Sequence, residues 1–138
     1  MFLKIFLSSF FLVPIIYCQS YLEKGISEYN QRHLGCVEDQ AKPEPISSAI
    51  GHFEKALDKK EDKNEASLYL LKSYYFKSKF VVKDKKVKKD LLKKGKDLGL
   101  SLVEKFPNSV EYRYWYLVNL GSWAEEYGVF AAAREGVA

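Results

Sequence analysis

The sequence predicts an all-α fold, built from antiparallel helix pairs stacked side by side. Three observations carry that expectation. Apolar residues recur three and four apart in successive segments, the spacing of one face of a helix. Chain-stopping residues separate the segments, at Pro43-Glu44-Pro45, at Phe106-Pro107-Asn108-Ser109 and at Gly128. The helix-turn-helix pattern also returns at an offset of 46 residues. Ala49, Phe53 and Ala56 then fall on Gly95, Gly99 and Leu102, and Tyr74 falls on Leu120. Small residues on one helix of a pair would let the next aromatic helix approach closely.

A first helix is expected from about residue 21 to 40, through Tyr21, Leu22, Ile26, Tyr29, His33, Cys36 and Val37, with Gly25 and Gly35 weakening its regularity. Pro43-Glu44-Pro45 breaks the chain, and Ser47 or Ser48 can cap a second helix over about 46–59. Asp58 to Asn64 reads as a charged turn. A third helix over about 65–80 carries Ala66, Leu70 and Tyr74, with Tyr69, Tyr75, Phe76 and Phe80 on neighbouring faces. The fourth helix sets Val87, Leu91, Leu98, Leu102 and Phe106 on one stripe among lysines. Pro107 ends it, and Asn108 with Glu111 has the spacing of a capping box for the fifth. The fifth carries Tyr112, Trp115, Tyr116, Leu120, Trp123 and Tyr127 on more than one face, as a helix packed between neighbours does. Gly128 stops it, and Ala131-Ala132-Ala133 opens another.

Ala49-x3-Phe53-x2-Ala56, followed by Leu70 and Tyr74, resembles the second helix of one tetratricopeptide repeat running into the first helix of the next. The departures are a unit longer than the usual repeat of about 34 residues, glycines at the later small positions, and a repeat-ending proline only at Pro107. The stretch Tyr114 to Ala124, followed by Tyr127-Gly128, is similar to the tetratricopeptide-like T-component proteins of periplasmic TRAP transport systems. That resemblance covers about residues 46–138. It implies a TPR-like α-solenoid and, as one alternative, a carrier domain for a small apolar or organic-acid ligand. In the repeat register the partner helix that would cover Trp115, Trp123 and Phe130 lies past the last residue. A fragment of a longer protein, or a domain completed by a neighbour, is therefore expected.

At 138 residues the chain has room for one domain. Residues 1–20 read as a signal segment and residues 21–138 as the helical domain. Lys4 precedes an apolar run from Ile5 to Tyr17, too short for an ordinary membrane span and suited to a secretory leader. Cleavage after Ser20 gives a soluble exported protein. Lipidation of Cys18 gives an anchored one, although Tyr17 is bulky for the residue before such a cysteine. Either way the chain is expected outside the cytoplasm, periplasmic or outer-membrane-associated if bacterial. With Cys18 removed, Cys36 is the single thiol, expected as a buried small residue.

No catalytic constellation is found, and neither a metal nor a cofactor is expected. His33 and His52 lack second ligands at metal spacing, and His33 reads as a core residue on the apolar stripe. Glu125 and Glu126 are adjacent, so they diverge on a helix and cannot form a carboxylate pair. Gly95-x3-Gly99 lacks the lysine and hydroxyl of a phosphate loop. The lysine run from Lys77 to Lys96 reads as a solvated face, with contact to anionic lipid or an acidic partner as the functional alternative. The surplus of +4, spread on a lysine-rich surface without local arginine, argues against nucleic acid. The aromatic helices are left as the binding surface. Tyr75, Trp115 and Trp123 are the expected groove or interface residues, since such rings join a large apolar body to a polar tip. The expected partner is another protein or a second copy, with a small apolar ligand as the alternative and membrane contact only through the leader or its lipid.

Overall fold

The computed structural model describes residues 19–128, 130 and 133–134. They form five helices: α1 (Tyr21–Asn30), α2 (Pro43–Asp58), α3 (Lys63–Phe80), α4 (Lys85–Lys105) and α5 (Val110–Tyr127). The only β pairing among the described residues is one isolated bridge, Val37 with Gln40. All but the last two residues of the expected leader, Cys18 included, lie outside the described residues, as does most of the helix expected from Ala131.

Side chains close most of the helix starts, satisfying N–H groups that have no partner within the helix. Ser20 and Glu23 form a capping box at α1. The Asp62 carboxylate accepts from the Asn64 and Glu65 N–H groups, and Asp84 accepts from the Val87 N–H. α1 has a second cap from far along the chain. The Tyr21 and Leu22 N–H groups donate to the two oxygens of Glu61, at 3.1 and 2.7 Å.

Several boundaries differ from the sequence expectation. α1 stops at Asn30, not near residue 40. The chain turns through residues 31–35, and Gly35 and Glu38 take φ of 71° and 54°, which no helix accommodates. The helical register beyond Asn30 is therefore lost. Cys36, expected buried, is exposed; so are His33, expected in the core, and Val37. Pro43 does not hold off α2 but begins it, since a first-turn proline gives up an N–H that had no partner anyway. Ser47 and Ser48 lie inside the helix. Ser109, not Asn108, caps α5 through the Tyr112 N–H, and Glu111 turns instead to Lys72 on α3. On α4 the fully buried leucine is Leu92 rather than Leu91, and Val87 faces solvent. Gly128, with φ of 97°, ends α5 as expected.

The helices pack along the chain order, each on the next, with α1 also touching α3 and α3 touching α5. Cross-contacts fix their directions. The Tyr112 hydroxyl donates to the Asn64 carbonyl near the starts of α5 and α3, and Lys79 pairs with Glu125 near their ends. Likewise Tyr29 meets Tyr69, and Arg32, just past α1, reaches Phe76. So α1, α3 and α5 run one way. α2 and α4 run back, Lys88 at the start of α4 pairing with Glu126 at the end of α5. Ile46, Ala49, Phe53 and Ala56 of α2 are fully buried between α1 and α3. Leu71, Leu102 and Tyr112 form a second core between α3, α4 and α5.

Glycine sets the closest approaches. A Cβ on Gly25 would lie 2.5 Å from the Phe53 ring, and one on Gly99 would lie 3.0 Å from the Tyr116 backbone. Of the positions matched at the 46-residue offset, Ala49, Phe53, Ala56 and Tyr74 are buried, as are Gly95, Gly99 and Leu102, but Leu120 is only half-buried and the large partner changes sides. In the first pair the ring is on α2 and the notch on α1. In the second the notches are on α4 and the bulk is on α5.

Tyr74 lies in the first core, with its hydroxyl donating to Glu54 Oε1 at 3.3 Å. Burial, reinforced by the Glu54 carboxylate, pushes its phenol up to about 12 from an ordinary 10.0. The folded state thus holds a proton that the unfolded chain gives up, and the stabilisation present below pH 10 is lost as pH rises through about 12. Urea midpoints measured across this range should fall steeply. Tyr74→Phe should make the fall shallower, and an unchanged slope would exclude Tyr74 as a source.

Candidate functional site

Two of the three expected site residues come together. Tyr75 on α3 and Trp115 on α5 meet edge to face, ring centroids 6.0 Å apart, both half-buried. Tyr114 meets Trp115 in the same way at 5.4 Å and is itself exposed. Lys72 threads between the helices: its ammonium lies 5.0 Å from the Tyr69 ring and 5.7 Å from Trp115, and pairs with Glu111 at 3.0 Å. Lys79 and Glu125 close the far end of the same seam at 2.7 Å. The result is an aromatic floor between α3 and α5 with ion pairs above it. Such a surface offers ring faces and a phenol, groups that dominate protein contacts, with amphiphilic lysine stems beside them.

Trp123 lies elsewhere. It is 4% exposed, stacked on Tyr127 at 4.6 Å, with the Lys96 ammonium 4.8 Å from its ring. It shapes the packing of α4 on α5 and does not present a face to solvent.

Sequence reasoning missed a second feature of α5. Val110, Tyr114 and Leu117 are exposed, and Gly121 continues their line with no side chain near it. Their spacing of four, three and four is an apolar helical stripe legible in the sequence. It was hidden because α5 carries a second apolar set at Tyr112, Trp115 and Trp123, which with the polar Asn119 faces α3 and α4. Asn119 was missed too. It is fully buried, its amide donating to the Leu71 carbonyl at 3.3 Å and the Trp115 carbonyl at 2.9 Å. That amide fixes α5 on α3 and so holds Trp115 beside Tyr75.

Glu125 and Glu126 diverge as expected, one to Lys79 on α3 and the other to Lys88 on α4. The Lys88 ammonium holds the Glu126 carboxyl below its usual range. A cavity of about 140 Å³ lies beside the loop after α1, lined by His33, Cys36, Glu38, Asp39, Ala41, Phe76 and Phe80. His33 meets Phe76 edge to face at 4.9 Å, and desolvation and the nearby Arg32 charge lower its pKa. An open cleft between the starts of α3 and α5 is lined by Asp62, Glu65, Glu111 and Tyr112. No group of three His, Cys, Asp or Glu among the described residues could hold a metal ion. No described helix is long and apolar enough to cross a membrane. Compared with known proteins, the chain matches no family model, no curated protein and no solved structure.

Proposed function

We propose that the chain is a non-catalytic helical-repeat module that binds another protein in the cell envelope, using the face between α3 and α5. The observation that carries this is the unbroken run of rings from Tyr75 through Trp115 to Tyr114, leading from a half-buried floor onto the exposed Val110–Leu117 stripe. The shared direction of α1, α3 and α5 supports a TPR-like stack, in which alternate helices line one side. The charged start and apolar run of residues 1–20 support export.

The alternative is an accessory component of a TRAP-type transporter, enclosing a small apolar or organic-acid ligand. It draws on the cavity beside Phe76 and Phe80. At about 140 Å³ that space suits a single small ring, well short of the roughly 300 Å³ where ordinary ligand sites begin.

Selection of a displayed peptide library on the folded protein tests the interaction reading. Enriched peptides should lose about thirtyfold or more in affinity with Trp115→Ala, as a central aromatic anchor does. Leu117→Glu should weaken them as well. Failure to enrich any sequence, or binding indifferent to both substitutions, would overturn it.

A further inference from the structure

The cavity beside the loop after α1 has walls of two kinds. Ala41 and Phe76 are buried and Phe80 is half-buried, so the inner wall is apolar. Glu38 and Asp39 are exposed and bring acid to the solvent side. The rings are already set against one another. Phe76 lies 5.0 Å from Phe80, and His33 meets it edge to face at 4.9 Å.

Hydrogen bonds hold the acidic wall where it is. The Val37 and Gln40 N–H groups each donate to the other's carbonyl, at 3.0 and 2.9 Å, so Glu38 and Asp39 are the two central residues of a tight turn. The Gln40 side-chain amide and the Ala41 N–H both donate to the Phe80 carbonyl at 2.7 Å, which pins that turn to the last residue of α3. Glu38 takes φ of 54°, a conformation that glycine or asparagine fills at lower cost. Turn chemistry therefore does not account for a glutamate there.

The charge of the lining is one-sided. Neither Glu38 nor Asp39 has a cationic group within 4.0 Å among the described residues. Arg32 lies 3.9 Å over Tyr29 and 5.3 Å from Phe76, outside the lining, and donates to the Tyr29 carbonyl. Lys42 folds over Gly35 and does not line the cavity either. Desolvation, with the Arg32 charge, lowers the His33 pKa from its ordinary 6.5, so the imidazole is neutral at pH 7. Carboxylates and cations nearly balance over this end of the stack as a whole. The excess of acid belongs to the lining alone.

Size and chemistry together narrow the occupant. A space of about 140 Å³ matches the roughly 150 Å³ that accepts one benzene ring. An organic anion would meet two carboxylates, and a metal ion would find too few ligands among the described residues. A neutral ring would leave the carboxylates unused. An ammonium carried on a single ring answers both walls, and aromatic faces attract cations as well.

We propose that this cavity binds a small arylalkylamine, with its ring against Phe76 and Phe80 and its ammonium at Glu38 and Asp39. The inference needs the cavity to take a ligand, as the transporter reading does, and narrows that ligand to a cation. It is independent of transport and of the α3–α5 face.

The test is a titration of the isotope-labelled full chain with benzylamine, benzyl alcohol, benzoate and ethylamine, followed by amide chemical shifts. Benzylamine should give saturable shifts at Cys36, Glu38, Asp39 and Ala41, with an affinity about tenfold above that of benzyl alcohol. Benzoate and ethylamine should not saturate. Glu38→Gln with Asp39→Asn should remove the advantage of benzylamine and leave benzyl alcohol as it was. Both residues are exposed, so the double variant keeps the fold, as circular dichroism would verify. Benzyl alcohol or ethylamine binding as tightly as benzylamine would overturn the proposal, as would an advantage that survives the double substitution. Tighter binding of benzoate would overturn it too, while leaving the cavity as the organic-acid site of a transporter accessory. No saturable shift with any of the ring compounds would overturn both.

Discussion

Gly95→Ala is expected to destabilise the protein by about 2–4 kcal/mol, although alanine is the better helix former by about 1 kcal/mol. A Cβ at residue 95 would lie 2.0 Å from Asn119 Oδ1. Asn119 cannot step aside cheaply. It is fully buried, and its amide is committed to the Leu71 and Trp115 carbonyls. Overpacking of this kind costs about 1–3 kcal/mol, and a displaced amide gives up two bonds of about 1 kcal/mol each. Urea denaturation followed by circular dichroism gives the cost directly. The mechanism also predicts non-additivity. In an Asn119→Ala background the same substitution at Gly95 should be neutral or stabilising, since only the helix-propensity gain is left. Equal costs in both backgrounds would remove Asn119 from the explanation.

Phe53→Ala should cost about 3–5 kcal/mol, the range for deleting a buried ring. Phe53 is fully buried, stacked on Tyr69 at 5.3 Å and seated against Gly25. Its ring is the wedge that α1 and α3 share. The loss should appear as a lower urea midpoint, and α1 should lose amide protection ahead of α4 and α5, because the second core keeps its own contacts. Uniform loss of protection along the chain would show instead that the two cores unfold as one.

The helices and their order were legible because period and punctuation agreed: lysine-flanked apolar stripes ended at Pro107, and the glycine that stops α5 stands where the stripe ends. The loop from Gln31 to Lys42 was not. Tyr29, His33 and Val37 keep helical spacing, yet the chain leaves the helix between them. The bonds that hold the loop come from Phe80, some forty residues away, and local spacing carries no trace of them. The proline pair was misread for a related reason, since Pro43 can either forbid a helix or begin one and only the preceding backbone decides. At the candidate site, residue type marked Tyr75, Trp115 and Trp123 alike as groove or interface residues; it could not tell that Tyr75 and Trp115 would meet while Trp123 packs inward. On α5 two apolar sets interleave, and which faces inward depends on where Asn119 can reach a carbonyl.

Ser20 serves two masters. It caps α1 together with Glu23, and if residues 1–20 are a leader it is also the last residue removed. A cut after Ser20 discards the cap, worth about 1 kcal/mol, and turns the Tyr21 N–H into an ammonium within reach of Glu61. Maturation at Cys18 keeps the cap and leaves that nitrogen an amide. If the chain is cut after Ser20, Glu61 alone closes the start of α1; if it is not, Ser20 and Glu61 share that task.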